Sequence, residues 1–217
     1  MDPSLVLSAW AGGIAAGLAL VAAWRVVGSG YNFLAVGVAL LFGIPAALAG
    51  AGPAAWAGCG LVLMAAAMSR RPPVVVVLAA AAACSFGAAA AIADRPLLAI
   101  SGALFLGSVT SEMMLGHWYL VDPRLPRPAL RRLATIGAAG GVIDAALVAA
   151  HGGVPWAAAD AVTGWAFVVL AVTTVLLMVA VGLALRERGY SGVMAATGLS
   201  YLAMLTAAGA MVLGRML

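Results

Sequence analysis

From Gly107 to Arg132 the sequence reads GSVTSEMMLGHWYLVDPRLPRPALRR. This is the order expected of a helix leaving a bilayer. An apolar run that carries one carboxylate, Glu112, ends in His117, Trp118 and Tyr119. Asp122, Arg124, Arg127, Arg131 and Arg132 follow, interleaved with Pro123, Pro126 and Pro128. Amphipathic aromatics settle at headgroup level, and arginines gather on the cytoplasmic side. Proline restricts φ and favours a stiff, extended connection. The stretch therefore predicts the end of one membrane helix, a short loop and the start of another.

The rest of the chain is close to pure hydrocarbon. Of 217 residues, 65% are hydrophobic and 8% charged, and mean hydropathy is +1.15. A soluble domain carries roughly 25% charged residues, so a soluble fold is excluded. A membrane β-barrel needs alternating polar and apolar residues, whereas these runs are continuous and rich in Ala, Leu, Val and Gly. The expected fold is an all-α, polytopic integral membrane helical bundle, with residues 1–217 as a single transmembrane domain. The net charge of +4 comes from scattered arginines. They form no continuous basic face, so no nucleic-acid partner is expected. Cys59 and Cys84 lack a CxxC spacing and are expected to act as small buried hydrophobes. Met1-Asp2-Pro3 lacks the basic start of a signal peptide, so the first apolar segment is expected to remain a membrane helix.

Eight spans are expected, near 5–27, 31–52, 54–69, 74–93, 97–121, 130–151, 157–185 and 190–213. The third is the shortest, and its Gly/Pro border at 49–53 leaves open a re-entrant pair with the second. With the N-terminus outside, nine of the eleven arginines fall at cytoplasmic ends: Arg25, Arg70, Arg71, Arg124, Arg127, Arg131, Arg132, Arg186 and Arg188. Only Arg95 and Arg215 fall outside. This bias orients the chain with both termini outside. Trp24, Tyr31, Trp118, Tyr119 and Tyr190 then lie at the inner interface, with Trp10 and Trp156 near the outer one. Pro45 should remove a backbone hydrogen bond within the second span. Glycine sets at 12, 13 and 17 and at 137, 140 and 141 offer close helix approach. A faint echo, Trp24-Arg25 … Gly30-Tyr31 against Leu185-Arg186 … Gly189-Tyr190, suggests that the first and last helix pairs correspond.

Three carboxylates stand apart, because an ionisable group at membrane depth costs ~2.5–3.5 kcal/mol even on insertion scales. Glu112 is expected ~13 Å from the inner end of its span, and Asp144 ~20 Å from the same side. The two could meet or share a polar cavity. Asp160 is the third, with a cap on the seventh span as its plainer role. Ser108, Glu112, Gly116 and Tyr119 share one helical face, and Gly137, Gly141, Asp144 and His151 another. A polar ladder from His151 through Asp144 and Glu112 to Tyr119 or His117 would nearly cross the bilayer.

No catalytic motif, metal-ligand spacing or phosphate loop is visible, so no metal is expected and the chain is not expected to be an enzyme in its own right. His117 and His151 are placed at opposite membrane faces, which disfavours a shared haem. The leading functional reading is a transporter-like protein or membrane subunit handling protons or a small solute at Glu112 and Asp144. The alternative is a quinone- or lipid-binding anchor of a respiratory redox complex, with His117, Trp118, Tyr119 and Arg124 at the binding end. In architecture alone the plan resembles the small membrane anchor subunits of respiratory enzymes, a likeness that transfers no residues. A third reading is a structural or assembly protein. Expected partners are the lipid bilayer and, through the 122–132 loop, other membrane or cytoplasmic subunits. The expected location is a bacterial-type inner (cell) membrane.

Overall fold

Inside a bilayer a chain must satisfy its backbone hydrogen bonds within itself, so each apolar run is driven to form a helix. The computed structural model describes residues 2–93, 95–122, 125–152, 160–187 and 189–217. Arg124, Trp156 and Arg188, which the sequence reading used, lie outside the described residues. The helices are α1 (Pro3–Trp24), α2 (Ser29–Leu48), α3 (Gly52–Ala67), α4 (Pro72–Ala93), α5 (Pro96–Val121), α6 (Pro128–Ala150), α7 (Ala161–Ala184) and α8 (Tyr190–Gly214). Among the described residues there is no strand. Seven of the helices are long and apolar enough to cross a membrane. The protein is an integral membrane helical bundle.

α3 is the exception. Its 16 residues make about 24 Å at 1.5 Å per residue, short of a ~30 Å core. The Ser85 hydroxyl, beyond the middle of α4, donates to the Ala54 carbonyl at the start of α3, 2.7 Å away. α2 is full length at 20 residues and holds Pro45 within it. The two are therefore not the equal arms of a re-entrant hairpin; α3 alone is short. α1 ends at Trp24 rather than at residue 27, because Arg25 turns left-handed (φ 54°, ψ 33°) and its N–H closes on the Ala22 carbonyl.

The packing falls into two rings of four. α1 packs on α2 and α4, and α3 completes that ring; α5 packs on α6 and α8, and α7 completes the other. The rings join chiefly where α1 meets α5. Gly13 faces Gly107 and Gly17 faces Ser111, in the same order along both helices, so α1 and α5 run parallel. A Cβ on Gly13 would sit 2.1 Å from the Ala103 carbonyl oxygen. Hydrocarbon gives helices no hydrophobic reason to associate, so backbone contact of this kind holds the rings together. This corrects the echo read from sequence. α1 takes the place of α5, not of α7, and Tyr31 is buried while Tyr190 is half exposed.

Several aromatics also leave the interfacial roles expected of them. Trp10 donates from Nε1 to the Thr110 hydroxyl at 2.8 Å and stacks on Phe42, so it serves the interior. Tyr31 turns fully inward. Trp24 keeps an interfacial contact, with the Arg132 guanidinium 5.6 Å from its ring. Cys59 is buried as expected, but Cys84 is exposed on the outer surface of the bundle. That surface is apolar, carrying Leu41, Leu48, Val77, Ile100, Leu176 and Leu205, as a lipid-facing belt requires.

The ends of the helices differ in charge. Arg127 donates to the Glu187 and Gly189 carbonyls, which ties the α5–α6 loop to the α7–α8 turn at the arginine-rich end. At the opposite end Arg215, just past α8, reaches the Leu98 carbonyl at the start of α5.

Candidate functional site

α5 carries more of the buried polar groups than any other helix. Ser101, Ser108, Thr110, Ser111 and Glu112 are all buried along it. It touches both rings, since α1, α6 and α8 pack on it. Its side toward α8 forms an antiparallel seam. A Cβ on Gly116 would meet the Thr197 hydroxyl at 3.0 Å, Glu112 meets Ser200, and Arg215 closes the outer end.

Asp144 belongs to that outer end. Arg215 Nη2 lies 2.8 Å from its Oδ1, and the two side chains are 3% and 2% exposed. Nη1 adds a contact to Oδ2 at 3.3 Å, and the Ser101 hydroxyl donates to Oδ1 at 2.6 Å. Both carboxylate oxygens are thus occupied, and the charge is neutralised where it sits. Burial of a charge is tolerated in this form, paired and hydrogen-bonded.

Glu112 is held differently. It is 0% exposed and has no ion pair among the described residues. Ser200 Oγ contacts its Oε2 and lies 2.7 Å from the Ala196 carbonyl. A serine hydroxyl has one hydrogen to donate, and the Ala196 carbonyl can only accept. If Ser200 gives its proton to Ala196, its lone pair accepts from a Glu112 carboxyl O–H. The second oxygen of Glu112, Oε1, has no hydrogen-bond partner among the described residues; neither do the hydroxyls of Tyr31, Ser111 and Tyr119. The Tyr31 hydroxyl is within electrostatic reach of Glu112. Tyr119, further along α5, is within reach of Arg127 and Asp122 at the arginine-rich end.

The two acids therefore do not meet. Asp144 is anchored at Ser101 and Glu112 sits at residue 112 of the same helix, about 16 Å further along the axis at 1.5 Å per residue. Each has its own partners, and the expected ladder is broken between them. His151 turns back on its own helix, with Nδ1 2.7 Å from the Leu147 carbonyl. Asp160 takes the plainer of its two expected roles. It is exposed and caps α7, accepting from the Val162 N–H at 3.0 Å. Those bonds, from the Thr163 hydroxyl first and the Val162 N–H second, hold its carboxyl below the ordinary aspartate range.

His117, Trp118 and Tyr119 point three ways. His117 is exposed, and its Nδ1 lies 3.1 Å from the Tyr201 hydroxyl. Trp118 turns toward α2, edge-on to Tyr31 at 6.4 Å and against Gly30. Tyr119 is buried. The three do not line one slot.

Three partners escaped the sequence reading. Arg215 read as a terminal topology residue, yet a long side chain at the outer end of α8 can reach down to an acid near the outer end of α6. Ser200 is a small hydroxyl in an apolar run, and nothing in the sequence marks it as facing an acid. Tyr31 read as interfacial, yet it turns inward beside Gly30, against which Trp118 packs. Comparison of the chain with family models, with curated proteins and with solved structures finds no match.

Proposed function

We propose that this membrane protein handles protons at Glu112, and that Asp144 is structural. The observation that carries the reading is the contrast between the two acids. Asp144 has its counter-charge in Arg215. Glu112 has a hydroxyl partner, a second oxygen with no hydrogen-bond partner among the described residues, and within electrostatic reach the buried Tyr31 hydroxyl, likewise without one. A structural acid would be expected to use its hydrogen-bonding capacity fully, since each unsatisfied buried polar group costs roughly 1–3 kcal/mol. A group that must give up and regain a proton needs an open side. Tyr31 and Tyr119 supply buried hydroxyls toward the arginine-rich end, which is the face that proton exchange would use.

The test is reconstitution in liposomes with a pH-sensitive dye inside and an imposed membrane potential. The wild type should move protons and Glu112→Gln should not, while Glu112→Asp keeps part of the flux. Infrared difference spectra should show a carboxylic acid C=O band that disappears in Glu112→Gln. Equal flux in wild type and a well-folded Glu112→Gln variant would overturn the proposal.

A further inference from the structure

We infer a binding site for a hydroxyl-bearing phosphate ester at the arginine-rich end of the first ring, between Arg25, Ser29, Asn32 and Arg70. It is separate from Glu112 and does not depend on the proton-handling reading. A cavity of about 540 Å³ opens there among the end of α1, the start of α2, and the α3–α4 turn. This lies within the ~300–1,000 Å³ range of ordinary ligand sites.

The chemistry of the walls selects an anion. Arg25 and Arg70 line the cavity, and neither makes a side-chain hydrogen bond or ion pair among the described residues. No carboxylate lines it. The N-terminus of α2 also borders it, since its cap residue Gly28 and first residue Ser29 line the cavity. Helix N-terminal N–H groups and the positive end of the helix dipole favour phosphate. The neighbouring start of α4 is Pro72-Pro73 and has no N–H to offer there.

The buried wall adds a second requirement. Asn32 is 6% exposed, and its Oδ1 has no hydrogen-bond partner among the described residues. Its Nδ2 makes one long contact, 3.5 Å, to the Ser69 carbonyl. A buried acceptor without a donor is costly. A ligand that carries a hydroxyl beside its phosphate satisfies it, with the phosphate on the arginines and the hydroxyl on Asn32. Arg25 supports this reading. Among the described residues it is the only non-glycine with positive φ. Such conformations persist where the surroundings require them and cluster at ligand sites. Here the left-handed residue ends α1 at the cavity, which Arg25 lines.

Two sources share this chemistry: the headgroup of a phosphoglycerol lipid and a soluble glycerol phosphate. Native mass spectrometry of the full-length protein in detergent separates them. With phosphatidylglycerol, phosphatidic acid and phosphatidylcholine supplied in equal amounts, the wild type should retain phosphatidylglycerol best, about tenfold or more over phosphatidylcholine. The Arg25→Gln/Arg70→Gln variant should lose that preference. Both replaced side chains are exposed, so the bundle should stay intact, which a thermal melt checks. Asn32→Leu should lower the preference for phosphatidylglycerol over phosphatidic acid without abolishing phosphate binding. Arg131→Gln/Arg186→Gln, two arginines that line a different cavity, should leave retention unchanged. Displacement of the lipid by millimolar glycerol phosphate would assign the site to the soluble ester; resistance to displacement would assign it to the lipid. Equal retention of phosphatidylglycerol by the wild type and the folded Arg25→Gln/Arg70→Gln variant, with no glycerol phosphate bound to either, would overturn the inference.

Discussion

Arg215 and Asp144 form a buried ion pair at 2.8 Å that joins the end of α8 to α6. Through Ser101 and the Leu98 carbonyl the same two residues also hold the first turns of α5. Three helices of the second ring are thus tied at one point, at the end opposite the arginine-rich one. Removing either partner alone leaves a charge in hydrocarbon, whereas removing both leaves none.

That asymmetry makes the first prediction. Asp144→Leu and Arg215→Met should each cost about 3–5 kcal/mol of stability, the usual effect of breaking a buried pair. The double variant should recover most of the loss. Thermal or denaturant unfolding in detergent measures all three. Single variants near wild-type stability would mean that the pair is solvated and that its reading as the structural acid site is mistaken.

The join between the rings makes the second. A Cβ on Gly107 would sit 2.3 Å from the backbone of Gly13, where neither helix can give way without separating. Gly13→Ala and Gly107→Ala should each destabilise by about 1–3 kcal/mol, as overpacking does. Gly37 and Gly60 have nothing within 4 Å of the same position. There the change to alanine should be neutral or stabilise by about 0.5–1 kcal/mol, because glycine is the poorer helix former. A reversed order in a set of melts would show that the rings do not meet at Gly13.

How far sequence could reach is visible at these positions. The spans were legible because length and hydropathy set them, and α5, α6 and α8 begin and end within a few residues of expectation. The burial of Glu112 and Asp144 was legible too, since both lie deep within apolar runs. Their partners were not. Helix rotation and neighbour choice decide whether Asp144 meets Glu112 or Arg215, and a chain that is apolar on every face leaves both weakly marked. Gly13 was visible as part of a small-residue set, but 27 glycines make many such sets. Only packing shows that Gly13 faces Gly107 while Gly37 faces open space.

Trp10 makes the third prediction. Its indole N–H donates to Thr110 at 2.8 Å, and its ring centroid is 4.0 Å from that of Phe42. Thr110→Val keeps the shape and removes the acceptor. Interhelical hydrogen bonds in membranes average about 0.6 kcal/mol and reach about 1.7. A double-mutant cycle of Trp10→Phe with Thr110→Val should give a coupling energy in that range. Zero coupling, with Trp10→Phe harmless, would return Trp10 to the outer interface where its sequence position first put it.

Asp160 makes the last prediction, through pH. Its carboxyl is held below the ordinary aspartate range by the Thr163 hydroxyl and the Val162 N–H. The ionised form is thus favoured in the folded state. The cap's contribution is fully present above the unfolded aspartate value of about 4 and is lost as pH falls through the lower, folded value. Asp2, lowered by its bond with Ser4, caps α1 in the same sense, so a global melt would mix the two. Amide exchange at the first turn of α7, corrected for intrinsic rate, isolates Asp160. Protection there should fall in the wild type at acid pH. It should stay level across the same range in Asp160→Asn, because asparagine caps without titrating. Asp160→Ala should lack the protection at every pH, and an alanine variant as protected as wild type would show that the cap does not hold the start of α7.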